Sequence, residues 1–227
     1  MLGELTASIA HEVSQPLTAI EANTEASLLW LGHAEPNIAE VRELSARTAA
    51  EVQRAAEILQ RIRSMAMRAS PVQAAVSINP LIDETVLFLG HEISRQGIVL
   101  KLELARELPP LIGDRVQLQQ VIINLANNAI QSMASGPTAS KVLSIRTFSN
   151  HPESQIIELE DTGPGIKPAA MERLFEGFFT TKASGMGIGL AICRSIIEAH
   201  GGHIVARNLN DRSGAVFTIE LPLLTTR

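Results

Sequence analysis

Two glycine-rich segments contain the residue types best suited to hold a nucleotide. Asp161-Thr-Gly-Pro-Gly165 follows an apolar run typical of a strand, and a carboxylate before Gly-x-Gly indicates a turn that needs backbone freedom. Gly185-Met-Gly-Ile-Gly189 leads directly into a helical pattern. Free backbone N–H groups and the positive end of the helix dipole at such a junction favour phosphate groups. A nucleotide site is therefore the first hypothesis.

Three polar side chains could bind Mg²⁺ or the base at that nucleotide site. Asn124 and Asn128 are four residues apart on a predicted helix, so they share one face, and their amide oxygens suit Mg²⁺. The alternative is that each is an ordinary surface or capping residue. Asp161 could accept a hydrogen bond from an exocyclic amine such as that of adenine. Its alternative is an Asx-turn, the commoner arrangement for Asp before Thr-Gly.

A cluster of phenylalanines, Phe175, Phe178 and Phe179, precedes Thr180-Thr-Lys182 and the second glycine segment. Aromatic residues beside a flexible loop could anchor a lid, and Lys182 could meet a phosphate as a point charge. The alternative is a hydrophobic plug at the end of a short helix, with Lys182 solvated. Both interpretations predict that this segment borders the glycine-rich loop.

His11 and Glu12 offer a second kind of chemistry near the other end of the chain. A histidine acts as a base, a metal ligand or a nucleophile, and His11 lies off the apolar stripe of its predicted helix. Glu12 could hold the proton of one ring nitrogen and leave the other lone pair free to attack. The alternative is an exposed histidine without a chemical role. Cys193 is expected to be a small core residue.

The element that carries His11 is a predicted helical hairpin. Apolar residues recur at helical spacing from Leu2 to Leu31 and again after Asn37, which has Glu40 three residues on as a capping-box partner. A lone hairpin buries only one stripe on each helix. We therefore expect two copies to pair as a dimeric four-helix bundle.

Beyond a predicted linker at Arg68–Val72, helical and strand patterns mix. Asn79 is expected to cap the first helix, with Pro80 at its first position. The order predicts an α+β chain in which a two-layer α/β sandwich follows the hairpin. The predicted strands are Val76–Ile78, Ile98–Leu104, Lys141–Ser149, Gln155–Glu160, His203–Arg207 and Ala215–Leu221, and the predicted helices are Asn79–Gln96, Asp114–Met133, Pro168–Phe175 and Met186–His200.

Composition narrows the classes of function. The 227 residues carry a net charge of −5, which argues against a general nucleic-acid binder, and the single cysteine excludes a disulfide framework. No apolar run is long enough to span a bilayer, and no signal peptide is visible, so we expect a cytoplasmic chain. Because the sequence begins inside a helical pattern with no cap before it, the alternative stays open that it is the cytoplasmic part of a longer, membrane-bound chain.

The order and spacing of these segments resemble the catalytic core of two-component sensor histidine kinases over essentially the whole chain. Two positions are less standard, namely Gln15, where Thr or Asn is usual in relatives that dephosphorylate their regulator, and Ala215, where Thr is more usual. The matching boxes are His11–Leu17 (H), Asn124–Ala129 (N), Asp161–Gly165 (G1), Phe175–Lys182 (F), Gly185–Gly189 (G2) and Gly214–Phe217 (the terminal glycine motif).

The resemblance implies a dimerisation and phosphotransfer hairpin over residues 1–70 and an ATP-binding domain of the Bergerat fold, with a short lid, over residues 71–227. It makes His11 the phospho-accepting nucleophile, Glu12 its acid/base partner, and Gln15 the candidate for orienting a water. It also implies ATP and Mg²⁺ as cofactors and a response regulator receiver domain as partner. Asn128 would hold Mg²⁺, and the nucleotide would be bound by Asn124, Asn128, Asp161, Gly163, Gly165, Phe179, Thr181, Lys182, Gly185, Gly187, Gly189 and Leu190.

Three alternatives stay open at this point. Chaperone, mismatch-repair and gyrase ATPases share the second domain, although the preceding His-Glu-x-x-x-Pro hairpin argues against them. A degenerate kinase could bind nucleotide and serve as a dimeric scaffold. Regulator phosphatase activity is the third, and it depends on Gln15.

Overall fold

The computed structural model describes residues 2–66, 73–134, 140–151, 153–181, 187–210 and 212–223; of residues 2–13, 53, 56–66, 150 and 151 it describes the backbone alone. The chain divides into two compact units, Met1–Ala69 and Ser70–Arg227. The predicted linker Arg68–Val72 lies outside the described residues. Among those residues, no helix combines the length and the apolar character needed to cross a membrane.

The first unit is the predicted helical hairpin. Helix α1 spans Leu2–Leu31, and helix α2 spans Ile38–Ala66 and packs against it. Asn37 caps α2 as predicted, because its side-chain Oδ1 accepts the backbone N–H of Glu40 at 3.2 Å. Pro16 lies inside α1.

The described side chains of the hairpin form little core of their own. Among its described side chains only Pro16 and Leu44 are buried. Large apolar side chains are instead exposed along both helices, including Leu29 at 71% and Ile38 at 59%. An apolar surface of this kind is what the predicted pairing of two hairpins would cover.

The second unit is built on a five-stranded mixed sheet. Its strands are β2 (Val99–Leu104), β4 (Val142–His151), β5 (Ser154–Asp161), β6 (His203–Asn208) and β7 (Ala215–Pro222). Their order across the sheet is β2-β4-β5-β7-β6, with β2 and β4 parallel and the other neighbours antiparallel. Two short strands, β1 (Ala74–Val76) and β3 (Leu111–Gly113), form a separate antiparallel pair.

The helices α3 (Ile78–Arg95), α4 (Arg115–Ala134) and α6 (Gly189–Ala199) supply the second layer, and α5 (Pro168–Met171) is a single turn. Helix α4 is central, since it packs against α3, α6, β4 and β5. Its side chains Leu125, Ile130 and Met133 are fully buried in a core that includes Ile145 and Ile157 of the sheet. Burial of each such side chain contributes about 1.5–3 kcal/mol. The fold class is as predicted.

Several predicted boundaries were wrong. Helix α3 begins at Ile78 with Ser77 as its N-cap, not with Asn79, and β1 ends at Val76. The Asn79 amide is engaged elsewhere: Nδ2 donates to the carbonyl oxygen of Ala105 at 2.7 Å, and Oδ1 accepts the Thr147 hydroxyl at 2.9 Å. Tertiary hydrogen bonds to the end of β2 and to the middle of β4 therefore override the local cap preference.

The two helices near the glycine-rich segments are shorter than predicted. Helix α5 ends at Met171 rather than at Phe175, and α6 begins at Gly189 rather than at Met186. Phe175 leaves the helical path and packs edge-on against Phe217, with ring centroids 6.5 Å apart. A core contact thus replaces the last predicted helical turn.

Candidate functional site

Four polar residues form a stripe along α4. Gln120, Asn124, Asn128 and Ser132 follow one another at four-residue steps, so they share one face of the helix, and all four are half-buried. The opposite side of α4 lies in the core, as Leu125 illustrates. One helix therefore supplies both the centre of the core and a polar wall.

The turn after β5 meets this stripe. Asp161 is the last residue of β5 and is buried, with 3% of its surface exposed. Its Oδ1 accepts the backbone N–H of Gly163 at 2.7 Å, which is the Asx-turn considered from the sequence. A Cβ on Gly163 would lie 2.4 Å from the Ser132 hydroxyl. The absence of a side chain at Gly163 lets the turn approach α4.

Thr162 fastens the same turn to the start of β4. Its hydroxyl accepts the backbone N–H of Val142 at 2.9 Å and donates to the carbonyl oxygen of Ser140 at 2.8 Å. The turn is thus held at two successive residues, by the Asp161 carboxylate and by the Thr162 hydroxyl. No pattern in the sequence assigned this role to Thr162.

Asn124 is oriented by two neighbours. Gln120 Nε2 donates to Asn124 Oδ1 at 2.9 Å, and the Cys193 thiol of α6 is hydrogen-bonded to Asn124. Cys193 is fully buried, as predicted for a core residue. Burial raises the pKa of the Cys193 thiol to about 12, and the hydrogen bond with Asn124 lowers it by a smaller amount. Sequence analysis missed Gln120, although its four-residue spacing from Asn124 was a usable signal.

The N-terminus of α6 lies one turn from this contact. Cys193 Sγ is 3.9 Å from the carbonyl oxygen of Val121, and Gly189, the first residue of α6, precedes Cys193 by four positions. Among the described residues, no atom lies within 4 Å of a Cβ built on Gly189. Packing against the described residues therefore does not require this glycine.

The loop before α6 contacts the phenylalanine segment. Gly187 has φ +66°, and a Cβ there would lie 2.3 Å from the carbonyl oxygen of Phe179. Phe178 also has a positive φ of +68°, which is uncommon for a bulky residue, and 52% of its surface is exposed. Leu190 is half-buried in the first turn of α6.

The other two phenylalanines of this segment, Phe175 and Phe179, contact arginine side chains, and Phe175 also packs in the core. The Arg194 guanidinium lies 4.3 Å from the centre of the Phe175 ring, and that of Arg173 lies 4.6 Å from the Phe179 ring. Thr181 is exposed. Phe175 thus behaves as the plug considered from the sequence, whereas the exposed Phe178 does not. The predicted site residues Lys182 and Gly185 lie outside the described residues.

The start of α4 is fixed by His200, another contact that sequence analysis missed. The His200 ring, at the end of α6, accepts the backbone N–H of Asp114 through Nε2 at 2.9 Å, while Nδ1 lies 2.7 Å from the carbonyl oxygen of Ile196. Asp114 in turn caps α4, accepting the N–H of Val116 at 2.9 Å. The C-terminus of α6 therefore positions the helix that carries the polar stripe.

The predicted phosphotransfer residues lie in α1. The backbone of His11 and Glu12 is helical, and their side chains lie outside the described residues. Gln15 follows His11 by four positions on the same helix and is exposed. His11 and Gln15 therefore share one face of α1.

Comparison with known proteins gives both units a family. Residues 1–71 match the model of the His Kinase A (phospho-acceptor) domain, and residues 113–225 match that of the histidine kinase-, DNA gyrase B- and HSP90-like ATPases. The chain belongs to the sensor histidine kinases. The phospho-acceptor match over the hairpin removes the gyrase and chaperone classes considered from the sequence, since those share only the second domain. The resemblance to the catalytic core of sensor histidine kinases, stated from the sequence, is therefore confirmed.

Curated sensor kinases match this histidine kinase core almost from end to end. The sensor histidine kinase TmoS of Ectopseudomonas mendocina is 39% identical over 98% of the chain, which spans 23% of that relative. The sensor protein FixL of Bradyrhizobium diazoefficiens is 36% identical over 97% of the chain, which spans 43% of it. The chain thus spans less than half the length of these two relatives.

The chain is also similar to solved structures of histidine kinases. The catalytic domain of histidine kinase ThkA is 32% identical, with a TM-score of 0.59 over 66% of this chain and 95% of that one. The structure of ThkA in complex with the response regulator protein TrrA is 28% identical, with a TM-score of 0.73 over 100% of this chain and 63% of that one. The second likeness extends over the hairpin as well as the sheet domain.

Proposed function

We propose that this chain is the ATP-dependent autokinase core of a two-component sensor, and that His11 receives the phosphoryl group before it passes to an aspartate of a response regulator. The observation that carries the proposal is the contact between the α4 polar stripe and the Asp161 turn. It brings an amide-lined helix face next to a buried carboxylate, with the N-terminus of α6 one turn away.

Different residues contact the adenine base and the phosphates of the nucleotide. Asp161 receives the adenine amine, because a buried carboxylate fixed by its own turn is a specific acceptor. Gly163 and Gly165 form the adjacent wall. Asn124 supports the phosphates, as do the glycines at the start of α6, where free N–H groups favour anions. Further contacts come from Phe179, Thr181, Lys182, Gly185, Gly187, Gly189 and Leu190.

Mg²⁺ fits the donor set of this site. Asn128 offers a neutral amide oxygen on the half-buried stripe, and among the described residues no group of three His, Cys, Asp or Glu side chains could enclose a metal. Such a donor set suits an ion that keeps several waters and binds substrate phosphates. When bound, Mg²⁺ would neutralise phosphate charge, with Asn128 holding it.

The chemistry is two successive phosphoryl transfers. A ring nitrogen of His11 forms a bond to the γ-phosphorus, the bond to the leaving oxygen of ADP breaks, and Glu12 holds the proton of the other nitrogen. An aspartate of the receiver domain then forms a bond to phosphorus as the P–N bond breaks. Positioning and charge neutralisation supply most of the catalysis. Residues 1–70 are proposed as the dimerising phosphotransfer domain and residues 71–227 as the ATP-binding domain, in a cytoplasmic setting.

Incubation with γ-labelled ATP and Mg²⁺ tests the proposal. Native chain should take up acid-labile, base-stable label, and His11→Gln should abolish it. His33→Gln, the same change at the exposed turn of the hairpin, should leave labelling intact. Label that survives in His11→Gln would refute the assignment of the nucleophile. Tight ATP binding without label in the native chain would favour the nucleotide-binding scaffold.

A second candidate activity is dephosphorylation of the regulator. The exposed amide of Gln15, four residues after His11, supports it, because an amide can orient an attacking water. We expect Gln15→Ala to slow dephosphorylation of a phosphorylated receiver domain while autophosphorylation continues. Equal dephosphorylation rates for Gln15→Ala and native chain would remove this candidate.

A further inference from the structure

The side chain of Asn208 forms a reciprocal pair with the backbone of Ile166. Asn208 Oδ1 accepts the Ile166 N–H at 2.7 Å, and Nδ2 donates to the Ile166 carbonyl oxygen at 2.7 Å. A carboxamide presents one acceptor and one donor side by side, so it pairs with a peptide as a neighbouring strand would. Because Ile166 follows Gly165 directly, this pair fixes the far end of the glycine turn.

Asn208 is itself held firmly by the sheet. It is the last residue of β6 and pairs with Ala215 of β7. The connection that follows closes through the Leu209 N–H, which donates to the Gly214 carbonyl oxygen at 3.1 Å. A Cβ on Gly214 would lie 2.2 Å from the carbonyl oxygen of Asp161. The connection between β6 and β7 therefore rests directly on the end of β5.

Gly165 shows how closely Asn208 approaches the turn. Its φ is +80°, and a Cβ there would lie 2.9 Å from Asn208 Oδ1 and 3.3 Å from the Gly214 carbonyl oxygen. The turn thus has two anchors, Asp161 at Gly163 and Asn208 at Ile166. The first anchor lies within the turn, whereas the second comes from a strand on the edge of the sheet.

We propose that Asn208 is a positioning residue that gives the nucleotide site its selectivity for adenine. The inference rests on the proposed function, in which Asp161 receives the adenine amine and Gly163 and Gly165 form the adjacent wall. Asn208 does not touch the nucleotide and acts through Ile166. Without its pair, the far end of the turn moves away, and the pocket distinguishes adenine from guanine less well.

Asn208→Asp isolates this pair. The change keeps an acceptor for the Ile166 N–H and replaces the donor with an oxygen that faces the Ile166 carbonyl. Asn210→Asp is the matched control: it adds the same charge two residues along the same connection, where the side chain is exposed. Thermal unfolding of both variants is recorded alongside the binding measurements.

Calorimetric titration with ADP and GDP gives the decisive comparison. For Asn208→Asp we expect the Kd for ADP to rise roughly tenfold and that for GDP to stay constant, as one hydrogen bond near the base would predict. KM for ATP in autophosphorylation should rise by the same factor, with kcat at saturating ATP unchanged. A loss of folded protein alone would lower the binding of both nucleotides equally.

Each result decides the inference. Equal ADP preference in Asn208→Asp and Asn210→Asp would overturn it while leaving the proposed function standing. A native chain that binds neither nucleotide would overturn the proposed function, and this inference with it. If Asn208→Asp unfolds at the assay temperature, Asn208→Ser, which removes the pair without adding charge, must show the same loss of preference; an unchanged preference would overturn the inference.

Discussion

A methyl group on Gly163 tests whether the Asp161 turn reads the nucleotide. A Cβ there would lie 2.4 Å from the Ser132 hydroxyl and 2.7 Å from Asp161 Oδ1, both closer than packed atoms approach. Gly163 does not have a left-handed backbone, so Gly163→Ala acts through these contacts rather than through φ. The Ser132 hydroxyl can rotate away, whereas the Asp161 carboxylate is held by its own bond to the Gly163 N–H.

The expected magnitude follows from the bond that is displaced. A hydrogen bond to a charged carboxylate contributes roughly 1.5–3 kcal/mol. Losing it at the adenine amine would weaken ATP binding by about 10- to 150-fold. Overpacking should also lower the free energy of unfolding by about 1–3 kcal/mol.

The two effects separate in a double variant. Ser132→Ala removes the hydroxyl contact but not the contact with Asp161, so Ser132→Ala/Gly163→Ala should regain stability without regaining ATP affinity. Calorimetric ATP titration and urea unfolding measure the two quantities. Gly90→Ala is the control, because a Cβ there meets no atom within 4 Å. Native ATP affinity in Gly163→Ala would refute the role of this turn in binding adenine.

Three further changes test contacts within the second unit. Because the Cys193 pKa is raised from 9.0 to about 12, the native state keeps a proton that the unfolded chain loses above pH 9. Stability should therefore fall by about 1.4 kcal/mol per pH unit between pH 9 and 12, and urea unfolding at pH 8.5 and 10 should show no such slope in Cys193→Ala. Thr147→Val leaves the Asn79 Oδ1 without its hydroxyl donor, and calorimetric melting should show a loss of about 1–3 kcal/mol; native stability would contradict this network. His200→Phe removes the acceptor for the Asp114 N–H at a similar cost of about 1–3 kcal/mol, measured by urea unfolding, and an unchanged midpoint would dismiss that anchor.

Elements with strong local patterns could be predicted from the sequence. Helix α4 has a long apolar periodicity, and its predicted bounds, Asp114–Met133, differ from Arg115–Ala134 by one residue at each end. The Asn37 cap was also predictable, because a cap depends on neighbours along the chain. Strand β3, with three residues, is too short to give a period.

The contacts that shape the site could not be predicted in the same way. Asn208 meets Ile166 across 42 positions, and Asn79 meets Thr147 across 68. Such pairs depend on which strands become neighbours, and residue spacing carries no information about that. Residue type and spacing, together with the resemblance, supplied the Asp161 and Asn128 hypotheses, whereas contacts such as that of Asn208 with Ile166 emerged only from the fold.

The order of the sheet also constrains how this domain is made. Strands β5 and β7 are neighbours at its centre, yet the whole stretch from Thr162 to Gly214 lies between them in the chain. During synthesis on the ribosome, one edge of β5 therefore stays unpaired until β7, the last of the described strands, has been made. The unpaired backbone edge of β5, an apolar strand that includes Ile157 and Leu159, can pair with a strand of another chain. Nascent chains that stall before β7 should therefore need a chaperone. Closing so long a loop also makes folding slow compared with a helical bundle.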